Sequence, residues 1–123
     1  MSKKNRPKWL SKPEDHDYPA AESYLKLVFE NRKAEGLVDS LKKADMSHFK
    51  AKDIFRASGL SLLGVSNHHV KKNIKKIGKG EALSPILLVR NATTSKVVIA
   101  DGYHRLCAMY HFDEDQEVPC KIV

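Results

Sequence analysis

A chain of 123 residues, 41% of them hydrophobic, can fill one core and leaves no length for a second domain of ordinary size. No apolar run approaches the roughly 18 residues of a membrane span and no secretory h-region is present, so a soluble, cytoplasmic protein with no membrane partner is expected. Two cysteines without CxxC spacing, Cys107 and Cys120, argue for reduced thiols, and a net charge of +7 directs attention to anionic partners.

Lys3, Lys4, Arg6, Lys8 and Lys12 stand beside Pro7 and Pro13 with no apolar period, which predicts a mobile basic tail over 1–17. A single domain over 18–123 follows, with a helical extension at 18–45 and a core at 46–123. Asp17 before Tyr18-Pro19 reads as the N-cap of a first helix that buries Tyr24, Leu27 and Val28. Asn31-Arg32-Lys33 and Gly36 argue for a break before a second helix carrying Leu37, Val38 and Leu41. Phe49 to Ala57 alternates imperfectly and reads as a strand entering a loop, and Ser58 to Asn67 has loop chemistry with apolar anchors.

A helix is expected over His69–Ile77, capped by Ser66 or Asn67 and ended by Gly78 and Gly80. Lys71, Lys72, Lys75, Lys76 and Lys79 fall on one side of it, leaving Val70, Ile74 and Ile77 for the core. Such a stripe is either a solvated face or a collector of phosphate groups, on a small ligand or along a nucleic-acid backbone.

Pro85 to Arg90 and Val97 to Ala100 read as buried strands, and the second turns at Asp101-Gly102 directly into a helix. The unpaired N–H groups of that helix start lie beside Asp101, His104 and Arg105, which makes an anion site. Arg105 can grip phosphate oxygens bidentately, while Asp101 and His104 can handle a proton or a metal ion. An ordinary Asp-Gly turn with a solvated arginine is the plain alternative. Farther on, Leu106, Met109 and Tyr110 are core positions and Cys107 is a small buried hydrophobe. Asp113 to Glu117 reads as a solvated acidic turn before a last strand at Val118–Val123, a metal site in that turn being the lesser alternative. The six histidines offer no shared metal by spacing: His68 and His69 diverge, and His104 and His111 stand two turns, about 10 Å, apart. His68 or His69 could face the same cleft as Arg105.

Taken in order, the Pro85–Arg90 strand, the Val97–Arg105 strand-turn-helix and the Val118–Val123 strand resemble the core of the ParB/sulfiredoxin superfamily. The likeness runs from about Phe49 to Val123 and includes the lysine-rich helix ahead of the Pro85 strand. It implies an α+β fold with a small mixed β-sheet and flanking helices. Sulfiredoxins place a catalytic Cys between the Gly and the His of the turn, where this chain has Tyr103, so sulfinic-acid repair is not implied. Chromosome-partitioning ParB proteins carry Gly-Glu-Arg-Arg there; Gly102-Tyr103-His104-Arg105 keeps the last Arg and loses the acid. The turn is most similar to the Asp-Gly-His-His-Arg type of the free-serine kinases, matched at Asp101, Gly102, His104 and Arg105.

That resemblance implies a phosphorylated ligand, foremost a nucleotide (ATP, ADP or CTP) with Mg²⁺. It would be held by Gly102, Tyr103, His104, Arg105 and the helix lysines Lys72 and Lys76. Asp101 would ligate the metal or deprotonate an acceptor, with His104 assisting, in phosphotransfer or nucleotide hydrolysis; Glu81 is the available further acid. The alternative is a ParB-like nucleic-acid-associated protein, binding DNA through its backbone or acting as a nuclease, although no helix-turn-helix follows the core.

Overall fold

The computed structural model describes residues 6–123. In chain order they form β1 (Lys8–Trp9), α1 (Asp17–Val28), α2 (Asn31–Lys43), β2 (Ser47–Lys50), α3 (Ala51–Ser58), α4 (His68–Gly78), β3 (Ala82–Leu83), β4 (Ile86–Asn91), β5 (Lys96–Asp101), α5 (Tyr103–Phe112) and β6 (Glu117–Ile122). A four-stranded sheet in the order β2-β6-β4-β5 organises them, with β4 parallel to β6 and the outer pairs antiparallel. The expected α+β class with a small mixed sheet is therefore what the chain adopts.

The continuous apolar run of β4 follows from burial on both faces. Ile86 and Leu88 point into one core, with Val70 and Ile77 of α4 and Leu106 and Met109 of α5. Leu87 and Val89 point into another, with Tyr18, Ala21 and Leu25 of α1 and Val38 and Leu41 of α2. Each of these β4 side chains is at most 1% exposed, a burial that stabilises by about 1.5–3 kcal/mol apiece. Helices thus sandwich the sheet, and α4 and α5 share the layer that carries the Asp101 turn.

Several local expectations are corrected. Residues 8–17 are not a mobile arm: Lys8–Trp9 pairs in parallel with Ala82–Leu83, and Leu10 N donates to Leu83 O at 2.8 Å. Trp9 packs against the core and Glu14 N donates to Ser84 Oγ at 3.1 Å, so one aromatic and one serine outweigh the charged composition. Residues 1–5 of that expectation, Lys3 and Lys4 among them, lie outside the described residues. His16 takes the N-cap position of α1, and Asp17 is the first helical residue, its carboxylate turned inward. The buried face of α1 is Tyr18, Ala21 and Leu25 rather than Tyr24, Leu27 and Val28, because Ala21 allows close approach to the sheet; Leu27 is 85% exposed. The helix break falls at Glu30, whose carboxylate accepts from Lys33 N at 2.6 Å, while Gly36 sits inside α2 with open space around it. Finally, Ala51–Ser58 is a helix and not a continued strand: Ala51, Ile54, Phe55 and Ser58 are its buried stripe at helical spacing.

Candidate functional site

The strand-turn-helix forms as expected. β5 ends at Asp101, Gly102 takes φ 108°, and the first bond of α5 runs from Leu106 N to Gly102 O. A side chain at 102 would be strained by that left-handed φ and would overlap the buried Ile86 Cδ1, so only glycine fits. No side chain caps α5, which leaves its first-turn N–H groups without intrahelical acceptors.

Arg105 is not the free guanidinium that the sequence suggests. Its Nη2 donates to Asp101 Oδ2 at 2.8 Å and to Pro85 O at 3.4 Å, and Asp17 Oδ2 lies 3.9 Å away. Two carboxylates therefore flank one largely buried arginine, whose Nε is buried without a partner. Burial raises the Asp101 carboxyl above its ordinary value; Arg105 opposes this in part, and the neighbouring Asp17 adds to the rise.

Around this turn opens a cleft of ≈ 280 Å³. One wall is α4, through His69, Lys72, Asn73 and Lys76, spaced i, i+3, i+4 and i+7 so that all four share a helix face. Opposite lie Asp101 to Arg105, and the rim is completed by Glu14 and His16 from the N-terminal segment and by Ala82 to Ser84. The lysine stripe is thus split, because Lys72 and Lys76 enter the cleft while exposed Lys71, Lys75 and Lys79 do not. Ser66 does not cap α4; Asn67 does, accepting from His69 N at 3.0 Å and Val70 N at 3.2 Å.

His69 and His104 meet inside the cleft with ring centroids 4.7 Å apart. Burial lowers the pKa of His104 below the usual 6.5, and His69 lowers it further, which favours the neutral imidazole. The Tyr103 hydroxyl donates to Ser61 O, tying the loop after α3 to the turn. Every residue expected at the site, Lys72, Lys76 and Asp101 through Arg105, lines the one cleft. Glu81 does not, nor does His68. The acidic turn is answered by Lys52, 2.6 Å from Asp115 Oδ1.

Sequence reasoning missed Glu14, His16, Asp17 and Ser84. The available signal was the run Glu14-Asp15-His16-Asp17 immediately before a helix, dense in ligating side chains yet assigned to the tail. With buried Asp17 counted, Glu14, Asp17 and Asp101 balance Lys72, Lys76 and Arg105 one for one. Among the described residues no helix is long and apolar enough to cross a membrane. Comparison with protein-family models, with curated proteins and with solved structures returns no match for this chain.

Proposed function

We propose that the cleft binds a phosphorylated small molecule, foremost a nucleotide. The observation that carries this reading is the convergence of Lys72 and Lys76 of α4 with the uncapped N-terminus of α5 on one polar cavity. At ≈ 280 Å³ the cavity is near the lower end of ligand sites, about 300–1,000 Å³, and so suits the phosphates of ATP, ADP or CTP with the base toward the mouth. The resemblance of the Asp101–Arg105 turn to the ParB/sulfiredoxin superfamily supports the same reading. The two buried, free thiols fit a reducing, cytoplasmic setting.

Phosphotransfer or hydrolysis is the reactive extension of this binding, and it turns on a partner exchange. A phosphate that takes over Arg105 Nη2 releases the Asp101 carboxylate, now held at 2.8 Å, to face an acceptor hydroxyl or a cation. Mg²⁺ bound with the nucleotide would neutralise charge building on the phosphate oxygens, and Asp101 would be the residue to hold it. Neutral His104, on the same turn, can accept a proton.

Calorimetry with ATP, ADP, CTP and pyrophosphate, with and without Mg²⁺, tests the binding. Lys72→Glu and Lys76→Glu should each weaken it by about 1.5–3 kcal/mol, as for a lost charge-assisted bond. Unchanged affinity in both variants would discard the cleft as a phosphate site. Association with DNA is the second reading, favoured by the exposure of Lys71, Lys75 and Lys79 outside the cleft. Under it, Lys71→Glu with Lys75→Glu should reduce duplex retention and flatten its salt dependence while leaving nucleotide affinity intact.

A further inference from the structure

We propose that Glu14, His16 and Asp17 form a divalent-cation site at the rim of the cleft, one suited to Mn²⁺, Co²⁺ or Zn²⁺ rather than to Mg²⁺. Their ligand atoms all lie within 4.8 Å of one another. His16 Nε2 stands 3.0 Å from Glu14 Oε2 and 3.4 Å from Asp17 Oδ1. Donors bound about 2.0–2.2 Å from one ion stand about 3–3.5 Å apart, so the imidazole is already spaced from both carboxylates as a co-ligand would be.

A second observation separates this group from an exposed acidic cluster. Asp17 is 2% exposed, and one of its oxygens is already held: Oδ2 accepts from Ser84 Oγ and, at 3.1 Å, from Glu14 N, with Arg105 Nη2 3.9 Å away. Oδ1 accepts neither of these bonds and is left facing His16. A buried carboxylate with one oxygen fixed by outer partners and the other presented to an imidazole is how a protein orients a metal ligand. The pairing of β1 with β3 and the Glu14–Ser84 bond hold the segment against the sheet, so the backbone that carries the three donors is in place before any ion arrives.

The chemistry of the donors selects the ion. An imidazole between two carboxylates can donate Nε2–H to one of them, as the 3.0 Å approach to Glu14 Oε2 allows, or serve both as a ligand to a cation they share. Imidazole nitrogen favours Zn²⁺, Co²⁺ and related ions, carboxylates also suit Mn²⁺, and Mg²⁺ prefers all-oxygen shells with several waters. Glu14 and His16 line the cleft that Lys72 and Lys76 enter, so the positions the protein does not fill open toward the ligand space. The proposal does not rest on the phosphate reading, because the donor set is complete without a phosphate.

The test uses the full chain, freed of metal by a chelator and without nucleotide. Co²⁺ titration followed by visible absorption, and Mn²⁺ titration followed by electron paramagnetic resonance, should each show saturable binding at a single site, with Mg²⁺ a poor competitor. Glu14→Gln and His16→Gln should each weaken it about tenfold or more, and both variants should fold, since the native side chains are 46% and 77% exposed. Mn²⁺ should also broaden the ring signals of His16 in the proton NMR spectrum. Lys76→Glu should not weaken metal affinity, although it should weaken phosphate binding if that reading holds, so the two can fail separately. Absence of saturable Co²⁺ and Mn²⁺ binding, or affinity unchanged in His16→Gln, would overturn the site.

Discussion

A methyl group at residue 102 would overlap Ile86 Cδ1 and lie 2.9 Å from Arg105 Nη2, in a backbone with φ 108°. The left-handed conformation costs about 1–2 kcal/mol and overpacking about 1–3, so Gly102→Ala should lose about 2–5 kcal/mol in urea unfolding. Arg105→Ala is a poor probe of ligand binding for a related reason: it strands Asp17 and Asp101 without their shared counter-charge, a loss of about 3–5 kcal/mol. His104 gives the fold a pH dependence of known sign. Its folded pKa lies below the ordinary 6.5, so below that pH the unfolded chain takes up the proton more readily than the folded one. Its contribution is complete above about pH 6.5 and fades as pH falls toward the folded value, and His104→Gln should flatten that limb of the stability profile. Burial holds the Cys120 thiol up to about 11 and raises Cys107 as well. Neither should react with a disulfide reagent at pH 8 in the native protein, and both should do so in urea.

Elements announced by β-branching and glycine were legible in the chain: the two strands around the Asp101 turn, the turn itself and α5 all lie where residues 86–112 place them. What was not legible lacked such punctuation. β2 passes into α3 at Lys50 without an intervening turn residue, so the helical spacing of Ala51, Ile54, Phe55 and Ser58 was masked by the alternation ahead of it. The buried face of α1 begins with an acid and includes an alanine, neither of which competes with Leu27 in a hydrophobicity count. The N-terminal segment is the sharpest case, because its anchor is tertiary: Trp9 finds its strand partner only in Ala82–Leu83. Half of the cleft rim was therefore invisible, while α4 and the turn could be read. Removing residues 1–12 should cost about 1–3 kcal/mol in stability, as for the loss of a partly buried aromatic and two ladder positions. Trp9 is the only tryptophan, so its fluorescence reports on this docking directly; a truncated chain as stable as the native one would contradict the β1–β3 pairing.

At the scale of the molecule, the cleft joins α4, α5 and residues 14–17, and a ligand in it bears on all three at once. If the proposed nucleotide binds there, saturation at a hundredfold excess over its dissociation constant should raise apparent stability by about 2.7 kcal/mol, visible as a thermal shift that is absent in Lys72→Glu with Lys76→Glu. The bond from Glu14 N to Ser84 Oγ spans 70 residues of sequence, whereas β4 and β5 form a hairpin of near neighbours. Closing so long a loop is entropically the slower event. The rim at Glu14–Asp17, synthesised before the strand that receives it, should be seated last, after the sheet has formed. In refolding, recovery of the far-ultraviolet circular dichroism signal should then precede the Trp9 fluorescence change, and the chain should gain its shape before it gains a complete site.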